Sequence, residues 1–406
     1  MSLNGLVNMK KKIFIFSHAM EIGGAERALL GLLNSIDYSK YEVDLFLLKH
    51  SGELMPLIPK QVNLLPEISQ YSAIMKPMVL ALKEGQIKVV LGRLCGKLKA
   101  KLYDIKHTLN RSAVAIEYSH KHTVKYLPKV NNEHYDIAIS FLTPHYIVSE
   151  KVNADKKFAW IHTDYSTIEL DVKSELAMWS KFDNIVSISD DVTRAFLSTF
   201  PSLENKIVKI ENILSKDFVE EQADLFNVKN EMTGDSVKLL SIGRFCEAKN
   251  FDNVPEIASI IKSKGVDFKW YIIGYGADEN LIKSKIAQYN MEDTVIILGK
   301  KENPYPYIKA CDIYVQPSRY EGKCVAVRET QILNKPVIIT NYASSKSQLQ
   351  DGFDGVIVPM DNQGCANGIV KIIDDKDLQN QLIENTKKTD YTNSKEIEKL
   401  YKLIGD

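Results

Sequence analysis

Apolar positions along this chain recur with two periods, and each period predicts one kind of element. Short runs rich in β-branched and aromatic residues predict buried strands, whereas apolar residues three or four positions apart predict amphipathic helices. In the first half of the chain, strands are predicted at 12–18, 42–48, 135–141, 157–161, 184–188 and 207–210. Helices are predicted at 25–36 and from the Ser-Asp-Asp of 189–191 to about 199. The opening strand–helix–strand order is a βαβ unit, which implies a parallel sheet.

A second alternating series begins near Val237. Its strands are predicted at 237–242, 268–273, 294–298, 312–315, 336–339 and 355–358. Its helices are predicted at 252–264, 278–289, 304–310 and 325–333, with a polar helical tail at 376–403. The polar segment 216–236 is the predicted linker. We therefore expect an α/β protein with two Rossmann-like domains, 1–215 and 216–390, facing across a cleft where ligands bind beyond the carboxyl ends of the strands.

The segment 76–129 interrupts this alternation and predicts long helices. It carries twelve lysines and arginines against three carboxylates, so its net charge is +9 while the rest of the chain carries −9. Apolar residues, mostly leucine, interleave with these cations at 80, 90, 91, 94, 98, 102, 105 and 109. A basic amphipathic helix of this kind fits an anionic membrane surface, and a helix packed on the domain with a solvated basic face is the alternative.

The composition narrows the class of protein. A chain of 406 residues has room for two domains, and 45% apolar with 26% charged residues is typical of a globular protein. The formal net charge of zero gives no argument for a nucleic-acid partner. Five scattered cysteines without Cys-x-x-Cys spacing favour free thiols in a reducing compartment. The apolar run 13–16 is too short for a signal peptide or a membrane span, so we expect a cytoplasmic protein, with Met9 as a candidate natural start.

The segment 319–330 is the strongest candidate for chemistry. A buried strand is predicted before it, a helix is predicted from Val325, and the turn between them contains Gly322. The first N–H groups of a helix have no partner inside it and, with the helix dipole, favour an anion. Glu321 would lie at the mouth of this anion site, and Glu329 about two helical turns further in. A phosphate flanked by two carboxylates that bind hydroxyl groups suits a sugar nucleotide; carboxylates that only stabilise the helix dipole or the surface are the alternative.

Two glycine-containing loops also follow predicted strands and are candidate phosphate contacts. Gly243 precedes Arg244 and Lys249, whose planar fork and point charge suit a diphosphate, although solvated loop cations would give the same pattern. Gly23 and Gly24 precede the first helix, where a backbone without Cβ atoms can approach a bulky anion or form an ordinary tight turn.

Three further residues stand at predicted strand ends. The Gly274 turn lacks the third glycine of a dinucleotide fingerprint, so it predicts a tight turn near a nucleotide and makes a nicotinamide dehydrogenase the least favoured class. Leu298 ends a strand whose backbone can pair with a base edge or simply terminate. His162 ends an apolar strand and can bind substrate hydroxyls or transfer a proton, or be a satisfied structural histidine. No Asp-x-Asp pair stands at a strand end, which favours a metal-independent reaction.

Together these motifs resemble family four of the retaining glycosyltransferases, which share the GT-B architecture. The resemblance covers nearly the whole chain, and bacterial enzymes that build capsular, exopolysaccharide or teichoic-acid-type polymers are the most similar members. The residues that carry it are the turn 23–27, the segments 187–189 and 211–212, the Arg244 and Lys249 pair, and the Glu321-x7-Glu329 motif followed by 335–337.

The resemblance implies a role for each motif. Arg244 and Lys249 would hold the donor diphosphate, and the backbone at Gly24 would approach it from the first domain. Glu329 would bind the ribose hydroxyls, and Glu321 would bind the hydroxyls of the transferred sugar.

The resemblance also assigns the domains. The first domain, with its basic insertion at 76–129, would bind the acceptor near His162, and the second would bind the donor, with the amides of Lys323, Cys324 and Val325 against the phosphates. The final helix, 391–406, would cross back to pack on the first domain.

The implied reaction transfers a hexosyl or N-acetylhexosaminyl group, with retention, from a nucleoside-diphosphate sugar. The donor is expected to be UDP-linked, and the acceptor a glycan or a polyprenyl-linked glycan of a cell-surface polysaccharide. The sugar nucleotide is a substrate, so no cofactor, metal or nucleic-acid partner is expected, and cations would stabilise the leaving diphosphate. A sugar-nucleotide 2-epimerase and a non-catalytic sugar-nucleotide-binding adaptor are the alternatives. Contact of the segment 76–129 with the inner face of the cell membrane is the accompanying hypothesis on localisation.

Overall fold

The computed structural model describes residues 10–109 and 112–405. The candidate start at Met9 lies outside these ranges. The chain divides into two compact units, which we call unit 1 (residues 1–212 and 395–406) and unit 2 (residues 213–394).

Unit 1 is built on a parallel sheet. Its strands are β1 (Lys11–Ser17), β2 (Tyr41–Leu47), β3 (Asn63–Leu64), β4 (His134–Ser140), β5 (Asn153–Ile161), β6 (Asn184–Ser187) and β7 (Ile207–Lys209). Its helices before residue 212 are α1 (Gly24–Ser35), α2 (Ser69–Met75), α3 (Met78–Lys83), α4 (Ile87–His107), α5 (Val114–Thr123), α6 (Tyr146–Lys151), α7 (Val172–Trp179) and α8 (Asp190–Thr199). The strand order is β3-β2-β1-β4-β5-β6-β7, so the direction of winding reverses between β1 and β4.

Unit 2 repeats this plan. Its strands are β8 (Val237–Ile242), β9 (Phe268–Ile273), β10 (Val295–Gly299), β11 (Ile313–Gln316), β12 (Val337–Thr340) and β13 (Val356–Val358). Its helices are α9 (Lys216–Ala223), α10 (Val254–Ser263), α11 (Glu279–Gln288), α12 (Tyr305–Ala310), α13 (Val325–Ile332), α14 (Ser345–Gln348), α15 (Asn362–Asp374) and α16 (Lys376–Lys387). The order β10-β9-β8-β11-β12-β13 reverses between β8 and β11. The predicted pair of Rossmann-like domains is confirmed.

Two apolar clusters hold the sheet of unit 2 from its two faces. Alternate residues of each strand point to opposite faces, so Leu240 and Ile242 of β8 enter one cluster while Leu239, between them and the strand's start, enters the other. Trp270 and Tyr271 of β9 divide in the same way. Both faces are therefore covered, which leaves the strand ends as the place where polar side chains can gather.

The predicted linker 216–236 is wrong as a linker. Its first part forms α9, and its apolar residues are buried in a core cluster of unit 2, with Val219 at 1% and Met232 at 3% exposure. The polar composition misled the prediction because only one face of this segment is apolar, and that face packs on α12 and α13.

The predicted polar tail is not uniformly polar. The last helix, α17 (Ile397–Ile404), buries Leu400 and Tyr401. Tyr401 stacks on Tyr41 of β2 with ring centroids 4.8 Å apart, and its hydroxyl accepts a hydrogen bond of 2.8 Å from the Asp37 backbone N–H. The end of the chain therefore returns to unit 1, as the fold-class prediction required.

Candidate active site

The candidate site in unit 2 lies at the switch point between β8 and β11. These two strands pair in parallel, and β8 ends at Ile242 while β11 ends at Gln316. The loops that leave their carboxyl ends therefore start side by side, which is the usual ligand position in a sheet of this topology. The first loop carries Arg244 and Lys249, and the second carries Glu321.

Lys249 and Glu321 meet across this switch point. Lys249 Nζ lies 2.5 Å from Glu321 Oε1, and the two side chains are only 19% and 11% exposed. The same Glu321 oxygen accepts a hydrogen bond of 2.6 Å from Ser318 Oγ, and Ser318 Oγ accepts one of 2.9 Å from Gln316 Nε2. A chain of largely buried polar groups thus fixes the carboxylate against the ammonium.

Opposing effects set the charge of Lys249. Burial lowers the pKa of the Lys249 ammonium, but the Glu321 carboxylate and the nearby sulfur groups of Cys324 and Cys246 raise it. The net result is a pKa above its ordinary value. Lys249 is therefore a fixed cation at neutral pH.

Further contacts bind the two loops together. Arg319 donates from Nη1 and Nη2 to the two carboxylate oxygens of Asp252, at 3.0 and 2.8 Å. Its backbone N–H donates to Ala248 O at 2.8 Å. Asn250 Nδ2 donates to Pro317 O at 2.9 Å. Arg319, although it lies within the 319–330 motif, therefore spends its guanidinium on holding the loops in register.

Arg244 is placed differently from Lys249. Its side chain is exposed, and no described residue forms an ion pair with its guanidinium. A Cβ atom added at Gly243 would lie 3.1 Å from Lys249 Cδ, and one added at Gly274 would lie 1.9 Å from Gly243 O. Both glycines are therefore required by the close approach of neighbouring groups, independently of any nucleotide. Leu298 packs against the core of unit 2, so only its backbone can serve the predicted base contact.

Glu329 is separate from the charge pair. Its side chain, on α13, has 0% exposure, and its Oε1 accepts a hydrogen bond of 2.8 Å from Tyr305 Oη. Tyr305 begins α12 and belongs to the core of unit 2. The predicted ribose contact would have to share the Glu329 carboxylate with this tyrosine.

The backbone at the start of α13 is also engaged. Gly322 and Lys323 connect Glu321 to the helix. The N–H of Cys324 donates to Gln348 Oε1 at 2.7 Å, and Gln348 Nε2 donates back to Cys324 O at 3.3 Å. Gln348 would have to turn away before the Cys324 amide could bind a phosphate, whereas the contacts expected of Lys323 and Val325 stay predictions.

The sequence analysis missed several residues that shape this site: Ser318, Tyr305, Tyr342 and Gln348. Tyr342 is 1% exposed, and its hydroxyl has no hydrogen-bond partner in the described part of the chain. Burial, followed by the nearby Cys324 and Glu321 groups, raises the pKa of Tyr342. Tyr342 and Gln348 follow β12, which neighbours β11, so inspecting every strand end would have found them.

Histidines gather at the switch point of unit 1. His18 follows β1, His145 follows β4, and His162 follows β5. The His162 ring centroid lies 4.6 Å from that of Phe141, and its buried Nε2 atom has no hydrogen-bond partner within residues 10–109 and 112–405. Only His162 was singled out in the sequence, because the other two do not end a strand with an apolar run directly before them.

Hydrogen bonds account for the neighbouring histidines. A His145 ring nitrogen, Nδ1, pairs with Ser140 Oγ at 2.8 Å, and His18 Nε2 pairs with Thr143 O. At the nearby start of α1, a Cβ atom added at Gly23 would lie 2.1 Å from Glu26 Oε2. The Gly23–Gly24 turn is therefore tight for a local reason, and its approach to a diphosphate stays a prediction.

The histidine cluster predicts an acid-sensitive fold. Burial lowers the pKa of His18 and His162 to about 4 and that of His120 and His145 to about 3, from an ordinary 6.5. Below pH 6.5 the unfolded chain therefore binds more protons at these sites than the folded chain. We expect stability to fall as the pH drops from 6.5 towards 4, by up to roughly 1.4 kcal/mol per pH unit for each histidine.

Thermal unfolding at pH 7.5 and pH 5.5 measures this dependence. Glu175 opposes it by one proton, because burial raises the pKa of its carboxyl to about 7. The variant His145→Asn should narrow the difference between the two midpoints, whereas His134→Asn, at an exposed histidine paired with Asp155, should leave it unchanged. Equal midpoints at both pH values in the parent protein would contradict the assigned protonation states.

Comparison with known proteins identifies the family of unit 2. The family model of glycosyl transferases group 1 matches residues 223–389. The capsular polysaccharide biosynthesis glycosyltransferase CapM of Staphylococcus aureus is 27% identical over 221 residues, which are 53% of this chain and 58% of CapM. The amylovoran biosynthesis glycosyltransferase AmsK of Erwinia amylovora is 28% identical over 161 residues, 37% of this chain and 39% of AmsK. The chain thus spans between 39 and 58% of the length of these relatives.

Solved structures match the chain over almost its whole length. A glycosyltransferase from Rickettsia africae aligns with a TM-score of 0.66 at 16% identity, over 98% of this chain and 99% of that one. HepE from Anabaena, in complex with UDP and glucose, aligns with a TM-score of 0.67 at 14% identity, over 97% and 99%. At this level of identity the similarity establishes the GT-B fold.

Proposed function

Because residues 223–389 belong to the glycosyl transferases group 1 family, we propose that this chain transfers a hexosyl or N-acetylhexosaminyl group from a nucleoside-diphosphate sugar with retention. The proposed nucleotide is UDP, the form in which HepE and the S. aureus protein TarM were crystallised. The proposed acceptor is a glycan or a polyprenyl-linked glycan of a capsular or similar surface polysaccharide, reached from the cytoplasm.

The observation that carries this proposal is the largely buried Lys249–Glu321 pair at the switch point of unit 2. A diphosphate entering here would meet the ammonium of Lys249 directly and the exposed guanidinium of Arg244 beside it. Glu321 would then exchange part of its pairing with Lys249 for hydrogen bonds from the sugar hydroxyls. The side chains supply position and charge, which are the main contributions that such a transfer needs from a protein.

The proposed chemistry balances without a covalent enzyme intermediate. The acceptor oxygen bonds to the anomeric carbon from the face that the diphosphate leaves, the bond from that carbon to the phosphate oxygen breaks, and the acceptor proton passes to the leaving phosphate. Lys249 stabilises the charge that develops on the diphosphate. His162, neutral because burial lowers its pKa to about 4, is assigned to hydrogen bonding with a hydroxyl group. No step requires a metal ion.

A thermal-shift screen over nucleotide sugars tests the donor. A ligand that binds only the folded protein stabilises it by about 2.7 kcal/mol at a hundred times its dissociation constant, so the cognate donor should raise the unfolding temperature above all others. Product analysis with that donor and a set of acceptors then tests the reaction, with chelator present to test metal independence. An α-linked product from an α-linked donor supports the proposal. Conversion of the donor without acceptor would indicate an epimerase, and binding without turnover an adaptor.

A further inference from the structure

Exposed apolar side chains are concentrated in one part of unit 1. Among the described residues, eleven of the eighteen large apolar side chains that are exposed lie between positions 75 and 116. Exposed apolar residues are ordinary when scattered, whereas a contiguous set marks a surface that contacts a partner or a membrane.

Most of these side chains form a single stripe on α4. The stripe, which we call the α4 stripe, is exposed by 42 to 69% and repeats every three or four residues, as one face of a helix does. Its members are Ile87, Leu91, Leu94, Leu98, Leu102 and Ile105. The adjacent helix α3 adds Val79, which is 65% exposed, and two partly exposed leucines.

Close packing on the opposite side of α4 fixes the direction of the stripe. A Cβ atom added at Gly92 would lie 2.8 Å from His122 O, and one added at Gly96 would lie 2.4 Å from Tyr118 O. The glycines thus let α4 approach the backbone of α5 directly. Arg93 also ties the helix down, with hydrogen bonds of 2.8 and 2.6 Å from Nη1 to the Ala73 and Lys76 carbonyls. Rotating α4 to bury the leucines would break this packing.

Lysines line both edges of the α4 stripe. At 3.6 residues per turn, Lys97 and Lys101 fall on one edge, and Lys88, Lys99 and Lys106 on the other. All five are exposed, and none forms an ion pair with a residue that the structure describes. The nearby Glu84 is already paired with Lys76 at 2.7 Å. The stripe is therefore an apolar surface inside a border of unneutralised positive charge.

We propose that the α4 stripe lies on an anionic lipid bilayer, with its leucines in the interface and its lysines against the headgroups. An interfacial helix has this arrangement, with apolar residues in the centre and lysines at the edges. A second copy of the chain is the less suitable occupant, because a symmetric contact would bring the two sets of lysines together. No helix in the described ranges is long and apolar enough to cross a membrane, which agrees with a helix that lies on the surface. The sequence-derived segment 76–129 is thereby narrowed to one face of α4 and to α3, since Val90 is buried.

Vesicle sedimentation of the full chain tests the apolar part of this surface. Vesicles of equal parts phosphatidylglycerol and phosphatidylcholine should bind the protein, and vesicles of phosphatidylcholine alone should bind it far more weakly. The test variant is Leu91→Ser/Leu98→Ser/Leu102→Ser, and its matched control is Leu225→Ser/Leu281→Ser/Met360→Ser, at exposed positions of unit 2. We expect the test variant to lose at least roughly 100-fold in vesicle affinity and the control to bind like the parent.

The charged border is tested in the same assay. The variant Lys97→Gln/Lys99→Gln/Lys101→Gln should lose roughly fivefold in affinity per lysine, and raising the salt concentration should weaken the parent in the same direction. The control is Lys264→Gln/Lys371→Gln/Lys395→Gln, at exposed lysines elsewhere. All substituted side chains are exposed, so the fold should be unaffected, which thermal unfolding checks.

Each outcome decides the proposal. Binding to anionic vesicles that both test variants lose and both controls keep supports it. A dimer in light scattering that the leucine variant dissociates, without vesicle binding by the parent, overturns it in favour of a second copy. Absence of both also overturns it. The proposal does not rest on glycosyl transfer, and the variants should turn over a water-soluble acceptor at the parent's rate.

Discussion

Replacing Lys249 by alanine is expected to lower kcat/KM for glycosyl transfer by on the order of 100- to 1,000-fold, the loss typical of one charge-stabilising donor. Lys249 is the cation at the switch point of unit 2, and its elevated pKa keeps it charged throughout the neutral range. Without it, only the exposed Arg244 would face the diphosphate as charge develops there. Steady-state kinetics with the donor identified by thermal shift measure the effect, and KM for the donor should rise along with the fall in kcat.

The same substitution should also reduce stability, and the two effects can be separated. Removing Lys249 leaves Glu321 largely buried without its ion-pair partner, a change that costs on the order of 3 kcal/mol. The double variant Lys249→Ala/Glu321→Gln removes both charges and should recover most of the stability but none of the activity. Lys264→Ala, at an exposed lysine of unit 2, is the control for alanine substitution. Parental turnover in folded Lys249→Ala would refute the assignment of the diphosphate site.

The fold was predictable because local patterns and long-range packing agree in most of its elements. Buried strands such as β8 and β9 are continuous apolar runs, so their predicted bounds coincide with the observed ones. The two-residue strand β3 was missed because it is too short to carry a period. The helix α9 was misread as a linker because most of its residues are polar, and the few that decide its fate are buried only by tertiary contact.

The site was predictable in its residue types and not in its contacts. The positions of Lys249 and Glu321 after strands that flank a switch point suggested a common site, but they are 72 residues apart, and only the strand order brings them together. No local pattern indicated that Gln348 occupies the Cys324 amide or that Tyr305 occupies Glu329. Such contacts join loops and helices that are distant in sequence, and a single sequence does not encode them as a period or a motif.

Replacing Glu321 by glutamine should separate binding of the diphosphate from transfer of the sugar. Glutamine keeps the shape and an oxygen that can accept the hydrogen bond from Ser318, but it removes the charge that competes with a diphosphate for Lys249. We expect kcat to fall on the order of 100-fold or more, because a carboxylate that binds the transferred sugar is lost. The affinity for free UDP should stay the same or increase, in contrast to Lys249→Ala, which should weaken it.

Isothermal titration with UDP and single-turnover kinetics measure these two quantities, and Glu292→Gln, at an exposed carboxylate of unit 2, is the control. The pH dependence gives an independent check. Burial lowers the pKa of Lys249 and Glu321 opposes that effect, so in Glu321→Gln the lysine should lose its proton at a lower pH than in the parent. UDP binding by the variant should therefore weaken earlier as the pH rises. A variant with parental kcat, or with UDP affinity reduced as far as in Lys249→Ala, would show that Glu321 serves only to hold the lysine in place.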